Sequence, residues 1–234
     1  MTEELSYEAY LSISQNKFAI YLLEKKNLKN IYKKEVYIEN NSDLIDYNLL
    51  SDFLENNIFK IEKLIGKFLK NIVVVIDSNK ILNFSVGIKK KNYGEMINKK
   101  YLENSLTELN DLFKENYQNN KIMHFILVKY LVNGINYTSF EKEINGDYIC
   151  VEVNFIAVPN NLIKNIGSVL EKYQIKIDRF LNYKYITNFY EKEILDLSIM
   201  AHMIQNGQNQ KEINLIPKSP EKIGFFEKFF QLFS

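Results

Sequence analysis

Apolar and polar positions along this chain follow two different periods. Apolar-rich runs at residues 10–14 and 18–23, joined at Gln15-Asn16, predict two strands, and residues 34–38 predict a third. Asn40 to Asp43 is turn chemistry. Over residues 46–69 the period changes. Leu49, Leu50, Phe53, Leu54, Ile58, Ile61, Leu64, Ile65 and Phe68 recur at spacings of three and four, as on a helix with one apolar face. Asn71-Ile-Val-Val-Val-Ile-Asp77 follows, a short β-branched run of the kind buried on both faces of a sheet. Residues 1–81 therefore predict a βββαβ half-domain.

A second series begins at residue 82. Residues 82–88 predict a strand and residues 105–117 a helix carrying Leu106, Leu109, Leu112 and Phe113 on one face. Residues 123–132 predict a long strand. Asn133-Gly134 and Asn145-Gly146 each carry a hairpin-turn signature, the second leading into a strand over 148–158. Pro159-Asn160 opens a helix bearing Leu162, Ile163, Ile166, Val169 and Leu170. A strand over 174–180 and a helix over 185–197 complete the series. Between 206 and 220 polar residues cluster around Gly207, Pro217 and Pro220, which predicts a linker. No internal repeat is visible.

The last stretch, residues 221–234, is amphipathic. Pro220 suits a helix start. At about 100° per residue, Ile223, Phe225, Phe226, Phe229, Phe230, Leu232 and Phe233 fall in one arc of roughly half the circumference. Gly224, Glu227, Lys228 and Gln231 fill the other. Only Lys222 interrupts the apolar side, where a lysine can snorkel to headgroups. A bilayer interface, a partner's groove or the chain's own core can each cover such a face. If lipid covers it, Lys222, Lys228 and the seven apolar residues form the binding set. Phenylalanine burial then outweighs charge, since Lys218, Lys222 and Lys228 stand against Glu221 and Glu227.

Bulk properties narrow the function classes. The chain has 234 residues, 46% hydrophobic and 25% charged, a globular composition. Net charge is +1, so nothing global attracts nucleic acid. The acidic N-terminus lacks the apolar core of a secretory signal, and the longest apolar runs are too short to cross a bilayer as a helix. The expected location is cytoplasmic, peripheral on the inner face of the cell membrane. The single Cys150 excludes an internal disulfide and reads as a buried structural thiol. The eight glycines form no phosphate loop, and no HExxH or CxxC occurs. His124 alternates with apolar residues and reads as structural. Asp77 and Asp178 near strand ends have no evident second partner. No enzyme, metal or cofactor is expected.

His124-Phe-Ile-Leu-Val-Lys-Tyr130-Leu-Val-Asn133-Gly134, then Asn161-Leu-Ile-Lys-Asn165-Ile166, Tyr173-Gln-Ile-Lys-Ile-Asp178 and Asn188-Phe-Tyr-Glu-Lys-Glu193 together resemble, in order and spacing, FtsA, the actin-like bacterial cell-division family. The amphipathic C-terminal helix is similar to that family's membrane anchor. The resemblance runs over about residues 7–197 and again at the tail. It implies an α/β fold with a truncated actin-like, ribonuclease H-like subdomain from residues 1–81 plus 175–205, and an inserted small α/β subdomain over 82–174. The linker (206–220) and anchor (221–234) follow. It implies a divisome scaffold or adaptor at midcell, contacting other cell-division proteins through 82–174 and able to self-associate. Related actin-like pilus assembly proteins share the general layout but are not expected to carry this tail; a peripheral membrane adaptor of a pilus or secretion assembly system is the alternative.

The departures bear on chemistry. The family's first hairpin carries an acid and a glycine that approach nucleotide phosphates. Here Ser12 replaces the acid and Ser14 the glycine, with Gln15, Asn16 and Lys17 completing a degenerate phosphate loop. Near Leu197 the family continues into a second phosphate loop and two further subdomains, whereas this chain passes to residues 198–207, which resemble the helix before the tail. ATP binding is not expected. The FtsZ contact is in doubt, because the part that makes it in the family has no counterpart here. An apolar patch is expected near the Leu197–Ser198 junction.

Overall fold

The computed structural model describes residues 6–39, 44–137, 144–193 and 195–213. In chain order the elements are β1 (Tyr7–Ile13), β2 (Lys17–Glu24), β3 (Lys29–Tyr37), α1 (Tyr47–Ile65), β4 (Asn71–Ile76), β5 (Leu82–Lys91), β6 (Met96–Ile97), α2 (Lys99–Asn116), β7 (Asn120–Val132), β8 (Ile135–Tyr137), β9 (Ile144–Asn145), β10 (Tyr148–Pro159), α3 (Asn160–Glu171), β11 (Lys176–Asn182), α4 (Tyr183–Phe189) and α5 (Leu197–Gln205). The described residues fall into two units: those between 6 and 81 with those between 158 and 208, and those between 82 and 157 with 209–213.

The first unit is a five-stranded sheet in the order β11-β4-β1-β2-β3. β1, β2 and β3 form an antiparallel meander, while β1, β4 and β11 run parallel. β1 is buried over five residues and β4 over its last five, because helices cover both faces. On one face Tyr10, Tyr21, Leu23, Val73, Val75 and Leu181 pack with Ile186 of α4 and Met200, Ala201 and Ile204 of α5. On the other face lie α1 and α3, which pack on each other; Phe18 meets Phe53 of α1 at 6.1 Å between ring centroids. α1 starts where Asp46 accepts from the Asn48 and Leu49 amides. It stops at Gly66, whose left-handed backbone (φ 68°) turns its N–H back to the Glu62 carbonyl.

The second unit is a four-stranded sheet, β5-β10-β7-β8, with β6 and β9 as a separate short pair. α2 supplies Leu102, Leu106, Leu109 and Phe113 to a core with Phe125, Val151, Val153 and Phe155. Phe155 stacks on Phe125 at 4.6 Å and tilts against Phe113 at 4.8 Å. Asn133-Gly134 forms the β7–β8 hairpin, both residues at positive φ (48° and 84°) as the sequence signature requires.

Several expected boundaries move. The helix expected over 185–197 stops at Phe189, where α4 ends; α5 starts anew at Leu197, after Asp196, which has extended backbone (ψ 144°) and a carboxylate held by Lys33 and Asn30. Asn145-Gly146 is not a hairpin. Asn145 pairs with Met96 on β6, and Gly146 lies so close to Val132 that a Cβ there would collide with its Cγ1. The inserted unit does not extend to 174: the chain returns to the first unit at Val158, since α3 packs on α1 and β11. Residues 209–213, expected as linker, lie as a strap along β7. Leu127 N–H donates to Lys211 O (2.8 Å), Ile213 N–H donates to Phe125 O (2.6 Å), and Ile213 is buried. The expected patch at Leu197–Ser198 is filled: Ser198 and Met200 are buried, and Leu195 and Leu197 pack on the α4–α5 side of the core.

Candidate functional site

The β1–β2 turn occupies the carboxyl end of the parallel strands, where open α/β sheets place ligands. Ser12 is buried within β1, registered against Ala19 and Val75. Ser14 closes the turn on itself: its N–H donates to Lys17 O (2.9 Å), and its hydroxyl lies within hydrogen-bond reach of Asn16 Oδ1 (3.0 Å) and Lys17 O (3.1 Å). Asn16 O in turn accepts from Ile38 N–H (2.9 Å). The side chain of Ser14 thus supports a tight hairpin on hydrogen bonds internal to the turn.

Beside this turn lies an open cleft of about 440 Å³ lined by Ser12, Ser14, Lys17, Lys33, Glu35, Asp77 and Asp196 among others. Its cations are neutralised from within. Lys17 Nζ pairs with Glu35 at 2.9 Å, and Lys33 Nζ pairs with Asp196 at 2.6 Å and with Glu35 at 3.9 Å. Tyr21 Oη donates to Glu35 (2.8 Å). Burial pulls the Lys17 ammonium down, but Glu35 outweighs it and the net shift is upward. Burial pushes Glu35 up, and Lys17 and Tyr21 more than reverse that. The Asp196 carboxyl is lowered mainly by Lys33. At Tyr21, burial and Glu35 both raise the phenol. A polyphosphate entering here would meet Glu35, Asp77 and Asp196, each a like charge, and would have to displace existing pairs.

A second polar cluster sits at the opposite end of β1. Glu8 accepts from Tyr10 Oη, from Lys25 Nζ (3.2 Å) and across to α5 at His202 Nδ1 (2.6 Å). Burial raises the Glu8 carboxyl, and these hydrogen bonds bring it net below its ordinary value. Asp178 stands at the register shift between Ile177 and Arg179 of β11. Burial first, and the charge of Glu8 second, push its carboxyl up. Asp77 caps the end of β4, its N–H donating to Ile13 O (2.9 Å) and its carboxylate 3.8 Å from Lys184. In the second unit, His124 is buried and its Nδ1 lies 2.8 Å from Glu212 of the strap, a structural pair. Cys150 is half-buried, not buried. Among the described residues no cluster of three metal-ligating side chains occurs, and no helix is long and apolar enough to cross a membrane.

The proposed membrane-binding set, Lys222, Ile223, Phe225, Phe226, Lys228, Phe229, Phe230, Leu232 and Phe233, lies outside the described residues. The residues that sequence reasoning missed are Glu35, Lys33, Asp196, Glu8, His202 and Glu212. They carried no motif, since each finds its partner through the fold.

No family model matches the chain, and no curated protein matches it. Among solved structures, the PilM–PilN type IV pilus biogenesis complex aligns with a TM-score of 0.50 at 8% identity, over 79% of this chain and 49% of that one. The cytoplasmic domain of EpsL, an inner membrane component of the type II secretion system of Vibrio cholerae, aligns at 0.39 with 12% identity, over 76% and 57%. A Bacteroides thetaiotaomicron protein with an actin-like ATPase fold and unknown function aligns at 0.33 with 18% identity, over 83% and 59%. The chain thus spans about half the length of the first structure it resembles. Likeness at such identity carries the fold alone. With the strand order above it gives a mixed α/β, actin-like architecture and nothing that selects the FtsA family.

Proposed function

We propose that this chain is a non-enzymatic adaptor that works at a membrane surface within an assembly of the pilus-biogenesis or secretion type. The fold likeness to PilM, solved as a complex with PilN, supports a protein-binding role in such an assembly. The observation that carries the non-enzymatic part is the β1–β2 cleft, where Lys17 and Lys33 are already neutralised by Glu35 and Asp196 and the turn bonds to itself. The amphipathic pattern of residues 221–234 supports lipid attachment. The units then serve as docking surfaces, residues 82–157 for protein partners.

A cell-division scaffold is the second reading, favoured by the ordered motifs from His124 to Glu193. It would place the chain at midcell among divisome proteins. One experiment separates the two: cross-linking of the full chain in its native cells, purification from solubilised membranes, and mass spectrometry of what is attached. Pilus or secretion components support the proposal, and division proteins support the second reading. A soluble metabolic enzyme complex would sink both. Titration calorimetry with magnesium–ATP is expected to give no heat of binding, and micromolar affinity would refute the non-enzymatic part.

A further inference from the structure

The carboxyl end of α1 and the loop into β4 expose large apolar side chains that the first unit does not need for its core. Phe59 is 72% exposed, Leu64 56% and Phe68 80%. Between and around them Lys60, Lys63, Lys67 and Lys70 are all exposed. At about 100° per residue, Phe59, Lys63, Lys60 and Leu64 follow one another across an outward arc of roughly 140° on α1. On the same scale the buried stripe, Leu50, Phe53, Leu54, Asn57, Ile58 and Ile61, spans about 120° to 260° from Phe59, so Phe59, Lys63 and Lys60 lie outside it, while Leu64 falls at its margin and is nonetheless exposed in the last turn. Phe68 lies just past the Gly66 cap, on the rim of an open cleft it shares with Lys67 and Lys70. The only carboxylate within this stretch, Glu62, is turned back to accept from Leu69 N–H (3.0 Å). Asp52 and Glu55 lie one to two turns earlier.

We propose that this surface is a second membrane contact, in which Phe59, Leu64 and Phe68 enter the interface of an anionic bilayer while the four lysines meet its phosphate headgroups. Apolar side chains that project among same-sign cations match a surface that is apolar beneath and anionic above. A protein groove for the same patch would need a ring of acids around an apolar pocket. The inference rests on the reading that the chain works at a membrane, and adds which face of the first unit looks at it. The loop at 66–70 enters β4 at its start, so it lies at the opposite end of the parallel strands from the β1–β2 turn, leaving that turn pointed away from lipid.

The test uses the full chain in a Cys150→Ser background, with Leu64→Cys labelled by an environment-sensitive fluorophore and Tyr37→Cys, at the turn end, as the control. Vesicles of phosphatidylglycerol and phosphatidylcholine carry brominated acyl chains. Quenching at position 64 with none at 37 is expected. Phe59→Ser with Phe68→Ser should lower vesicle partitioning about tenfold, the effect of partly exposing two phenylalanines. Purely neutral vesicles should bind more weakly. If the chain sediments with vesicles while position 64 stays unquenched, the patch faces something other than lipid and this inference falls while the membrane reading stands. If the chain does not sediment with any vesicle, both fall.

Discussion

Truncating Glu212 to alanine tests whether the strap at 209–213 is part of the second unit or merely lies on it. Glu212 and His124 are buried at 5% and 1% exposure, with the carboxylate 2.8 Å from Nδ1. Losing one partner of a buried hydrogen-bonded pair costs about 1–3 kcal/mol, and more when both are charged. The strap limits that cost. It is held by the pair, by two backbone hydrogen bonds worth about 1 kcal/mol each, and by Ile213, whose burial is worth about 1.5–3 kcal/mol. Ordering five residues costs about 1–2 kcal/mol apiece, which is comparable to these gains together, so the loss of any one of them favours release of the strap. Once Glu212 is gone, release of the strap becomes the cheaper response. The expected destabilisation, no larger than the cost of orphaning the buried partner, is about 1–3 kcal/mol in a urea melt followed by circular dichroism. Ile213→Ala should cost about as much, and the double variant little more than either, because each alone already frees the same segment. Hydrogen exchange should show the Ile213 and Leu127 amides losing protection in all three variants while the Phe155 amide keeps its own. Additive losses, or protected Ile213 and Leu127 amides in Glu212→Ala, would refute the strap as a cooperative unit.

Phe155→Ala, which removes the ring shared by Phe84, Phe113 and Phe125, should cost about 3–5 kcal/mol in the same melt and leave the first unit's exchange pattern intact. Gly146→Ala should cost about 1–3 kcal/mol, since the new methyl must displace Val132; a neutral result would mean the loop yields freely. Glu8 is held net below its ordinary value of 4.5, so the folded chain binds fewer protons there than the unfolded one. The stability it contributes is complete above that pH and is lost as pH falls through the lower folded value. Asp178, pushed up, works in the opposite sense. Glu8→Gln should flatten the decline of the urea midpoint between about pH 5 and pH 3, and an unchanged slope would remove Glu8 from the account.

α1 and β4 were legible in the sequence because their patterns are set by burial: one apolar stripe on a helix, and a continuous β-branched run between two helical layers. The resemblance implied a departure from a phosphate loop at Ser12 and Ser14; in the fold the Ser14 hydroxyl bonds within the β1–β2 turn, a role no motif announces. The early end of α4 at Phe189 was not legible, nor was the hold of Lys33 on Asp196, 163 positions away, which no local pattern announces. The Glu8–His202 pair spans 194 positions and is equally silent in sequence. Asn145-Gly146 misled for another reason: its glycine serves close approach to Val132 in place of a turn. Leu64 and Phe68 fit the helical repeat and so read as part of the apolar face, though they are exposed; Phe59 stands outside that repeat.

The insertion of the second unit between β4 and β11 has a consequence for how the chain reaches its fold. The parallel sheet cannot be completed until β11 has been synthesised, long after β1 and β4. Closing so long a loop in a disordered chain is entropically costly and slow. Yet the two ends of the insert are neighbours on paired strands, Leu82 opposite Ala157. Once the insert has folded, it presents its flanking segments side by side, and the long closure becomes a short one. The second unit thereby acts as a scaffold for the biosynthesis of the first. Variants that slow its folding, such as Phe155→Ala, should delay the burial of β4 and β11 even though they touch neither strand.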